Sequence, residues 1–368
     1  MTPLVLRDIE VRGVRNLKAA TLRFSDTVNL FVGSNGQGKT SLLEACYLGA
    51  TSKSFRSSKL AEVVQHNAAD LFVKCTYLDQ GLERVQSIGI AGNTRTVRVE
   101  GKRPSSLVAY ASRSPVVLFH PGEMTLSMGS SGERRRLLDR ALLYTDPNAM
   151  ESGERYREAL RARQKLLEQE GVRAASLEAY EMLLVRHGLE IVAARRAIAA
   201  TLLESTTFAF KAFGTPDKAL LGRYETNTPD SAAEYQRALF EARGPDLRRK
   251  AATVGPHRDD LLLFLGDHAA RVEASQGQHR AIVMSLKYAE AQVIAARRGV
   301  LPLLFLDDVS SELDRERLDA LLQFFVERRG QIFVTSTRRE WLPEGLRRAK
   351  TFTVSAGTII ETASSNLP

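Results

Sequence analysis

The stretch VNLFVGSNGQGKTS, residues 28–41, decides the fold that this chain can adopt. Its opening run, Val28–Val32, is mostly apolar and indicates a buried strand. The residues that follow match the pattern G-x-x-x-x-G-K-[ST], whose glycines let successive backbone N–H groups face phosphate oxygens. The predicted phosphate loop comprises Gly33, Ser34, Asn35, Gly36, Gln37, Gly38, Lys39, Thr40 and Ser41.

The loop carries side chains that suit ATP bound with Mg²⁺. Lys39 adds a positive charge at the β- and γ-phosphates, and Thr40 offers a hydroxyl to Mg²⁺. From Ser41 onward the sequence favours a helix, whose N-terminal dipole faces the same anion. The alternative is a glycine-rich strand-to-helix turn that contains a lysine by accident. The order of strand, loop and helix favours the nucleotide site.

A second apolar run, Leu301–Leu306, ends in two carboxylates, Asp307 and Asp308. Such a run is typical of a strand buried on both faces of a parallel sheet. We expect Asp307 to hold Mg²⁺ together with Thr40, and Asp308 to polarise the water that attacks the γ-phosphate. With Lys39, these two aspartates form the predicted catalytic group. Alternatively, the aspartates only cap the following turn.

Two further segments flank this acidic strand. The first begins a helical run and offers a hydroxyl, amides and N–H groups to an anion, although alone it is no more than an ordinary helix cap. It consists of Ser275, Gln276, Gly277 and Gln278. The second consists of Ser311, Glu312, Leu313 and Asp314. In this order, the motifs resemble those of ATP-binding-cassette (ABC) ATPases, in which the signature helix of one head completes the ATP site of the other.

Three more segments resemble the RecF family of bacterial recombination mediators. They are VLFHP at 117–121, GERRRLLDR at 132–140 and TVGPHRDDL at 253–261. The likeness covers nearly the whole chain. It implies a weak, DNA-stimulated ATPase that dimerises on ATP at double-stranded and gapped DNA. It also implies that the protein acts with RecR and RecO to help load RecA, and that slow hydrolysis resets it.

Two alternative functions belong to other ABC-type proteins. An SMC-like DNA-structural head needs long coiled-coil arms, whereas a pair of 25-residue helices would project only about 40 Å. A transporter ATPase subunit usually has a histidine after the strand that here ends in Thr335, Ser336 and Thr337. Hydroxyl residues at this point favour the RecF family.

The predicted fold class is therefore α/β, an ABC-type P-loop ATPase head. Residues 1–121 and 296–368 form a mixed β-sheet lobe that binds ATP. Residues 122–295 form an inserted, mainly helical second lobe, because apolar residues recur at helical spacing from about 130 to 213. We expect no long coiled coil.

Composition is consistent with a partner rich in phosphate. The 368 residues include 52 Lys or Arg and 43 Asp or Glu, which gives a formal charge of +9. Residues 1–60 hold nine basic and four acidic side chains, and we expect part of this surface to bind DNA, the alternative being a solvated basic face. The residues chosen are Arg12, Arg15, Lys53 and Arg56.

The chain has two cysteines without metal or disulfide spacing, and no apolar run approaches the ~20 residues of a membrane span. We therefore expect a cytoplasmic protein without a membrane partner.

The sequence leaves the roles of three features open. Glu123 retains a charge where the family usually has an acidic pair. Arg258 either pairs with Asp259 in a turn or reaches nucleotide or DNA, and Arg134–Arg136 form either a salt-bridged helix face or phosphate contacts.

Overall fold

The computed structural model describes residues 2–213, 218–308, 319, 322–323, 325–327, 329–337 and 349–362. Contacts divide the chain into two units, Met1–Glu123 with Val283–Pro368, and Met124–Ile282. The first division falls two residues beyond the one expected from sequence. The second falls inside a long helix, Gln276–Arg298, rather than at residue 296.

The strands, in chain order, are β1 (Thr2–Arg12), β2 (Ala20–Arg23), β3 (Val28–Val32), β4 (Asp70–Asp79), β5 (Leu82–Ala91), β6 (Thr94–Val99), β7 (Val116–Phe119), β8 (Leu220–Glu225), β9 (Asp260–Leu265), β10 (His268–Ala269), β11 (Val300–Leu301), β12 (Leu303–Leu306), β13 (Ile332–Ser336), β14 (Lys350–Ser355) and β15 (Thr358–Thr362). The α-helices with named bounds are α1 (Lys39–Thr51), α2 (Leu107–Ala111), α3 (Thr125–Met128), α4 (Ser131–Thr145), α5 (Pro147–Glu170), α6 (Leu177–Phe213), α7 (Ala232–Arg249), α8 (Ala270–Glu273) and α9 (Gln276–Arg298).

The first unit contains a six-stranded sheet in the order β15-β14-β3-β13-β12-β7. All neighbours pair in parallel except β14 and β15. The central strands are buried, as expected for the apolar runs that encode them. Because the carboxyl ends of parallel strands meet at one edge, the residues after β3, β12 and β13 converge there.

A second sheet of this unit runs β11-β1-β4-β5-β6, with β2 paired to β1. Its inner face, helix α1 and the parallel sheet share one core, in which Leu6, Leu42 and Phe305 are all fully buried. The single strand predicted for Leu301–Leu306 is divided at Pro302, which lacks the N–H that a continuous ladder needs. The first part, β11, pairs with β1, and the second, β12, enters the parallel sheet.

The second unit is built from α4, α5, α6 and α7 beside the three-stranded sheet β10-β9-β8. Its helices are tied together by a buried arginine. Arg163 donates to Glu181 at 3.0 Å, to Asp246 at 2.6 Å and to the Leu239 carbonyl at 2.8 Å. Helix α5 has 24 residues and α6 has 37, and the described residues form no long coiled coil.

Candidate nucleotide-binding site

The phosphate loop joins β3 to α1, as the sequence predicts. Gly36 and Gly38 adopt φ angles of 77° and 118°, which L-residues with side chains rarely tolerate. Gly38 is the N-cap of α1, and no side chain caps the helix there. The first turn of α1 thus presents its N–H groups and its dipole to whatever occupies the loop.

Lys39 closes the loop. Its ammonium donates to the carbonyl oxygens of Gly33 at 2.7 Å and Ser34 at 3.0 Å. Burial lowers the pKa of Lys39, while the charges of Asp308 and Asp307 oppose that shift. A triphosphate would give this buried cation the compensating charge that it lacks.

The acidic strand end meets the loop, as predicted. The Thr40 hydroxyl donates to Asp307 Oδ1 at 2.8 Å, and the Thr335 hydroxyl donates to the same oxygen at 2.8 Å. Thr335 in turn accepts from the backbone N–H of Asp308 at 2.9 Å. Burial raises the pKa of Asp307, and the two threonine hydrogen bonds oppose that rise. The ends of three parallel strands therefore form one cluster of oxygen atoms.

This cluster fits Mg²⁺. Thr40 and Asp307 supply two hard oxygen atoms in contact, and Mg²⁺ usually takes one or two protein ligands with the rest from water and phosphate. Among the described residues, no group of three or more His, Cys, Asp or Glu forms a metal cage. Asp308 has a φ of 49°, an uncommon conformation for a residue with a side chain. Such conformations are found preferentially at functional sites.

Several residues that support the loop escaped the sequence analysis. Asn16 donates to the Gly36 carbonyl at 3.2 Å and accepts from the Ser41 hydroxyl at 2.9 Å. The turn between β14 and β15 also holds the loop, since the Gly357 N–H donates to the Gln37 carbonyl at 3.0 Å. A Cβ on Gly357 would lie 1.9 Å from the Asn16 carbonyl oxygen. No local feature of the sequence around Asn16 signals these contacts.

The first glycine of the loop is fixed by packing rather than by its own torsion angles. A Cβ on Gly33 would lie 2.2 Å from the carbonyl oxygen of Val354, in the neighbouring strand β14. The glycine therefore permits β3 to end beside β14 and the loop to start there.

The predicted signature segment begins α9. The Ser275 hydroxyl accepts from the Gln278 N–H at 3.3 Å, and the Gln278 side chain accepts from the Ser275 N–H at 2.8 Å. This reciprocal pair is a capping box, which was the simpler alternative for the segment. Ser275 and Gln276 are exposed, and a Cβ on Gly277 would meet nothing within 4 Å. Packing within the chain does not require this glycine.

The predicted segment Ser311–Asp314 lies outside the described residues. Glu123, left open above, is buried in an ion-pair cluster. Lys287 of α9 lies 3.4 Å from Glu123 and 2.5 Å from Glu290, and all three side chains are buried. Glu123 thus compensates a buried lysine.

The candidate DNA-binding residues differ in how they are held. Arg15 donates to both carboxylate oxygens of the buried Glu44 at 2.9 Å, and Arg56 lies 3.5 Å from Glu44. Arg12 is exposed and lies over the ring of Phe72. Lys53 lines an open groove that also contains Lys59 and Arg95.

The segments at 132–140 and 253–261 form a network in the second unit. Arg258 donates twice to the Ala252 carbonyl and, among the described residues, forms no ion pair with Asp259, so the first of its two alternatives is not observed. Asp259 instead accepts from Arg195 at 3.1 Å, because Arg195 reaches it from α6. Arg134 binds Asp260 with two hydrogen bonds. Arg136 pairs with Glu133, so two of the three arginines follow the salt-bridge alternative.

None of the helices in the part of the chain that the structure describes combines the length and apolar character needed to cross a bilayer.

Known proteins resemble this chain over nearly its full length. Residues 5–360 match the family described as RecF/RecN/SMC N terminal domain. The protein named DNA replication and repair protein RecF of Myxococcus xanthus is 38% identical over 340 residues, 89% of this chain and 90% of that protein. The protein of the same name from Syntrophotalea carbinolica is 33% identical over 362 residues, 97% of this chain and 99% of that protein.

Solved structures agree with these sequence matches. A structure described as the recombination mediator protein RecF with ATP in the RecFOR pathway superposes with a TM-score of 0.89 at 27% identity, and the match covers 98% of each chain. The Smc head domain of Pyrococcus furiosus has a TM-score of 0.57 at 16% identity, covering 98% of this chain and 96% of that one, which shows the shared fold alone. The fold is therefore that of an ABC-type ATPase head with an inserted helical lobe, and the chain belongs to the RecF family within the RecF/RecN/SMC group.

Proposed function

We propose that this chain binds ATP with Mg²⁺, hydrolyses it slowly, and uses ATP binding to form a homodimer on DNA during replication and repair. The observation that carries the proposal is the meeting of Lys39, Thr40, Asp307 and Thr335 at one edge of the parallel sheet. A relative solved as a complex named RecF-ATP, with the same fold, supports ATP as the ligand.

Each residue of the site has a role that its geometry supports. The uncapped first turn of α1 and Lys39 bind the β- and γ-phosphates, and Thr40 and Asp307 hold Mg²⁺. Bound there, Mg²⁺ would neutralise charge on the phosphate oxygens. Thr335 orients Asp307 through its hydroxyl and Asp308 through the Asp308 N–H. Asp308 acts as the base toward the attacking water.

The shortness of that base supports slow hydrolysis. Asp308 stands where faster cassette ATPases have a glutamate, and its carboxylate is one methylene closer to the backbone. Proton abstraction depends on hydrogen-bond reach, so a shorter base is compatible with slow turnover. Slow turnover suits a switch, because the ATP-bound state then persists long enough to act.

The dimer follows from the start of α9. Ser275, Gln276 and Gly277 present an exposed helix N-terminus with open space before the glycine. We infer that this segment meets the γ-phosphate bound by a second copy. ATP shared by two chains would favour association, and hydrolysis would release it.

The DNA role rests on the basic surface and on the relatives' names. Double-stranded DNA at gaps is the proposed substrate, and RecR with RecO, and RecA indirectly, are the proposed partners in the cytoplasm. DNA would stimulate hydrolysis by stabilising the dimer that completes each ATP site.

One experiment tests the proposal as a whole. Light scattering would follow the mass of the chain with Mg²⁺ and a non-hydrolysable ATP analogue, with ADP as the control, and then with gapped or blunt duplex DNA. We expect the mass to double with the analogue only, and gapped DNA to lower the analogue concentration required. A monomer at saturating analogue, with or without DNA, would contradict the dimer.

A further inference from the structure

A cavity of about 250 Å³ lies in the second unit. None of the residues that line it belongs to the nucleotide-binding motifs. It opens among α4, α5 and α6 and the turn Pro256–Arg258. The lining includes Arg135, Arg136, Asp139, Arg157, Arg195 and His257. The segments at 132–140 and 253–261, which carry the family resemblance, thus meet at a concave surface that the proposed ATPase function does not use.

The positive charges of this cavity are not all compensated. Arg195 binds Asp139 at 2.9 Å and Asp259 at 3.1 Å, and Arg136 pairs with Glu133. Neither Arg135 nor Arg157 forms an ion pair with any residue that the structure describes.

The hydrogen-bond partners of Arg135 carry no negative charge. It donates only to neutral acceptors, the Ser131 hydroxyl at 2.8 Å and the Asp259 carbonyl at 2.5 Å. Burial lowers its pKa, and the charge of Arg195 lowers it further, while nearby aspartates oppose the shift. A half-buried guanidinium beside another cation is stabilised by an added anion.

Two glycines lie beside the arginines that form no ion pair. A Cβ on Gly132 would lie 3.7 Å from Arg135 Nη2, and one on Gly153 would lie 3.6 Å from Arg157 Nη1. Both glycines line the cavity. Neither position therefore projects a side chain toward these guanidinium groups.

His257 is part of the wall rather than a further cation. Its Nε2 lies 3.0 Å from the Ala252 carbonyl, which can only accept, so Nε2 carries the proton. Its Nδ1 then accepts from the Tyr156 hydroxyl at 2.8 Å. Burial lowers the pKa of His257, in agreement with a neutral ring. Both ring nitrogens are used, and recognition falls to the arginines.

We propose that this cavity is a second anion site, which binds the phosphate group of a nucleotide or of a DNA end through Arg135 and Arg157. A phosphate monoester carries a charge of about −1.5 to −2 at pH 7, which matches two guanidinium groups that form no ion pair better than a single carboxylate does. Guanidinium forks bind phosphate oxygens in pairs. The cavity is smaller than the range of about 300–1,000 Å³ typical of sites for whole drug-sized ligands. It suits a terminal phosphate with part of its sugar.

Titration calorimetry with inorganic phosphate tests the site. Every sample carries Lys39→Met, so that the phosphate loop contributes no signal, and chloride keeps the ionic strength constant. We expect saturable binding that Arg135→Gln and Arg157→Gln each weaken by about tenfold, the loss of one charge-assisted hydrogen-bonded pair. Arg161→Gln is the matched control. It removes the same charge one turn along α5, from an exposed residue that does not line the cavity.

The outcomes are separable. Equal phosphate affinity in Arg157→Gln and Arg161→Gln, or no binding by the parent, overturns the proposal. Because Arg157 is exposed, Arg157→Gln should have the same thermal unfolding midpoint as the parent. Circular dichroism measures this midpoint. Deoxyadenosine monophosphate and duplexes with 5′-phosphate or 5′-hydroxyl ends then identify the source. Preference for the 5′-phosphate duplex supports a DNA end, and equal binding of the mononucleotide supports a free nucleotide.

Discussion

Asp307 Oδ1 accepts hydrogen bonds from two threonines that lie far apart in sequence. Thr40 follows the phosphate loop, and Thr335 lies near the end of β13, yet both hydroxyls are 2.8 Å from the same oxygen. Thr335 also accepts from the Asp308 N–H, so one hydroxyl fixes both members of the acidic pair. The two adjacent carboxylates are held differently, since the side chain of Asp307 accepts from Thr40 and Asp308 is held through its backbone N–H.

This division leads to a test of chemistry. Lys39→Met should weaken ATP binding, because it removes the charge that compensates the phosphates. Asp308→Asn should retain binding but slow hydrolysis by on the order of a hundredfold, because an amide cannot accept the proton. Equilibrium binding and single-turnover rates separate the two effects. Parent-like hydrolysis by Asp308→Asn would show that another group is the base.

At the scale of elements, helix α9 combines two features. Its start is the exposed capping box at Ser275, and its later turns carry Lys287 into the buried cluster with Glu123 and Glu290. The division between the two units falls within this helix, so the capping box belongs to the second unit and the Lys287 cluster to the first.

The start of α9 gives a prediction about assembly. Ser275→Arg should leave ATP affinity of the monomer nearly intact but abolish ATP-induced dimerisation, because a bulky cation would fill the space for the γ-phosphate. Light scattering with a non-hydrolysable analogue measures it. Val272→Arg, which adds the same charge at an exposed residue of α8, is the control and should dimerise normally. If Ser275→Arg dimerises and hydrolyses ATP normally, the segment is only a helix cap.

His279, in the first turn of α9, makes stability depend on pH. It lies 2.7 Å from the Ser127 hydroxyl, and burial lowers its pKa from the ordinary 6.5. As pH falls through 6.5, the unfolded chain takes up the proton before the folded one, so stability declines until the folded pKa is reached. The thermal midpoint of His279→Gln should decline less over this range. His66→Gln, at an exposed histidine, should keep the parent's pH dependence.

Local signals predicted the elements of the site well. Val28–Val32 is a strand with the expected bounds, and the loop glycines have the torsion angles that the motif requires. Contacts between distant segments could not be predicted, because nothing in the sequence of Asn16 encodes its proximity to Gly357. For the same reason the sequence left the partner of Arg258 open, and it did not indicate that the fold brings Arg195 to Asp259. Which side chains form hydrogen bonds depends on how the helices and strands pack, and that packing depends on the whole chain.

At the scale of the molecule, the excess of nine positive charges predicts affinity for a polyanion but does not say where it binds. The structure distinguishes the candidates. Glu44 in α1 compensates Arg15 and pairs with Arg56, whereas Arg12 is exposed with only an exposed-side-chain pair to Glu10 at 3.7 Å among the described residues, and Lys53 lines a basic groove.

The salt dependence of DNA binding tests this surface. Arg12→Ala with Lys53→Ala should weaken duplex binding regardless of sequence, and should flatten the logarithmic salt dependence by about 0.9 per lost phosphate contact. Arg186→Ala, at an exposed arginine of α6, is the control for net charge. Binding isotherms at several salt concentrations give the slopes. An unchanged slope in the double variant would show that DNA binds to another surface.

The hydrogen bonds of Lys39 and Thr40 have a consequence for how firmly the phosphate loop is held. The Lys39 ammonium donates to the carbonyls of Gly33 and Ser34, and the Thr40 hydroxyl donates to Asp307. These bonds join the start of α1 to the first residues of the loop and to the end of β12. A phosphate group would therefore meet a loop whose shape is already set, and little binding free energy would be spent on ordering it.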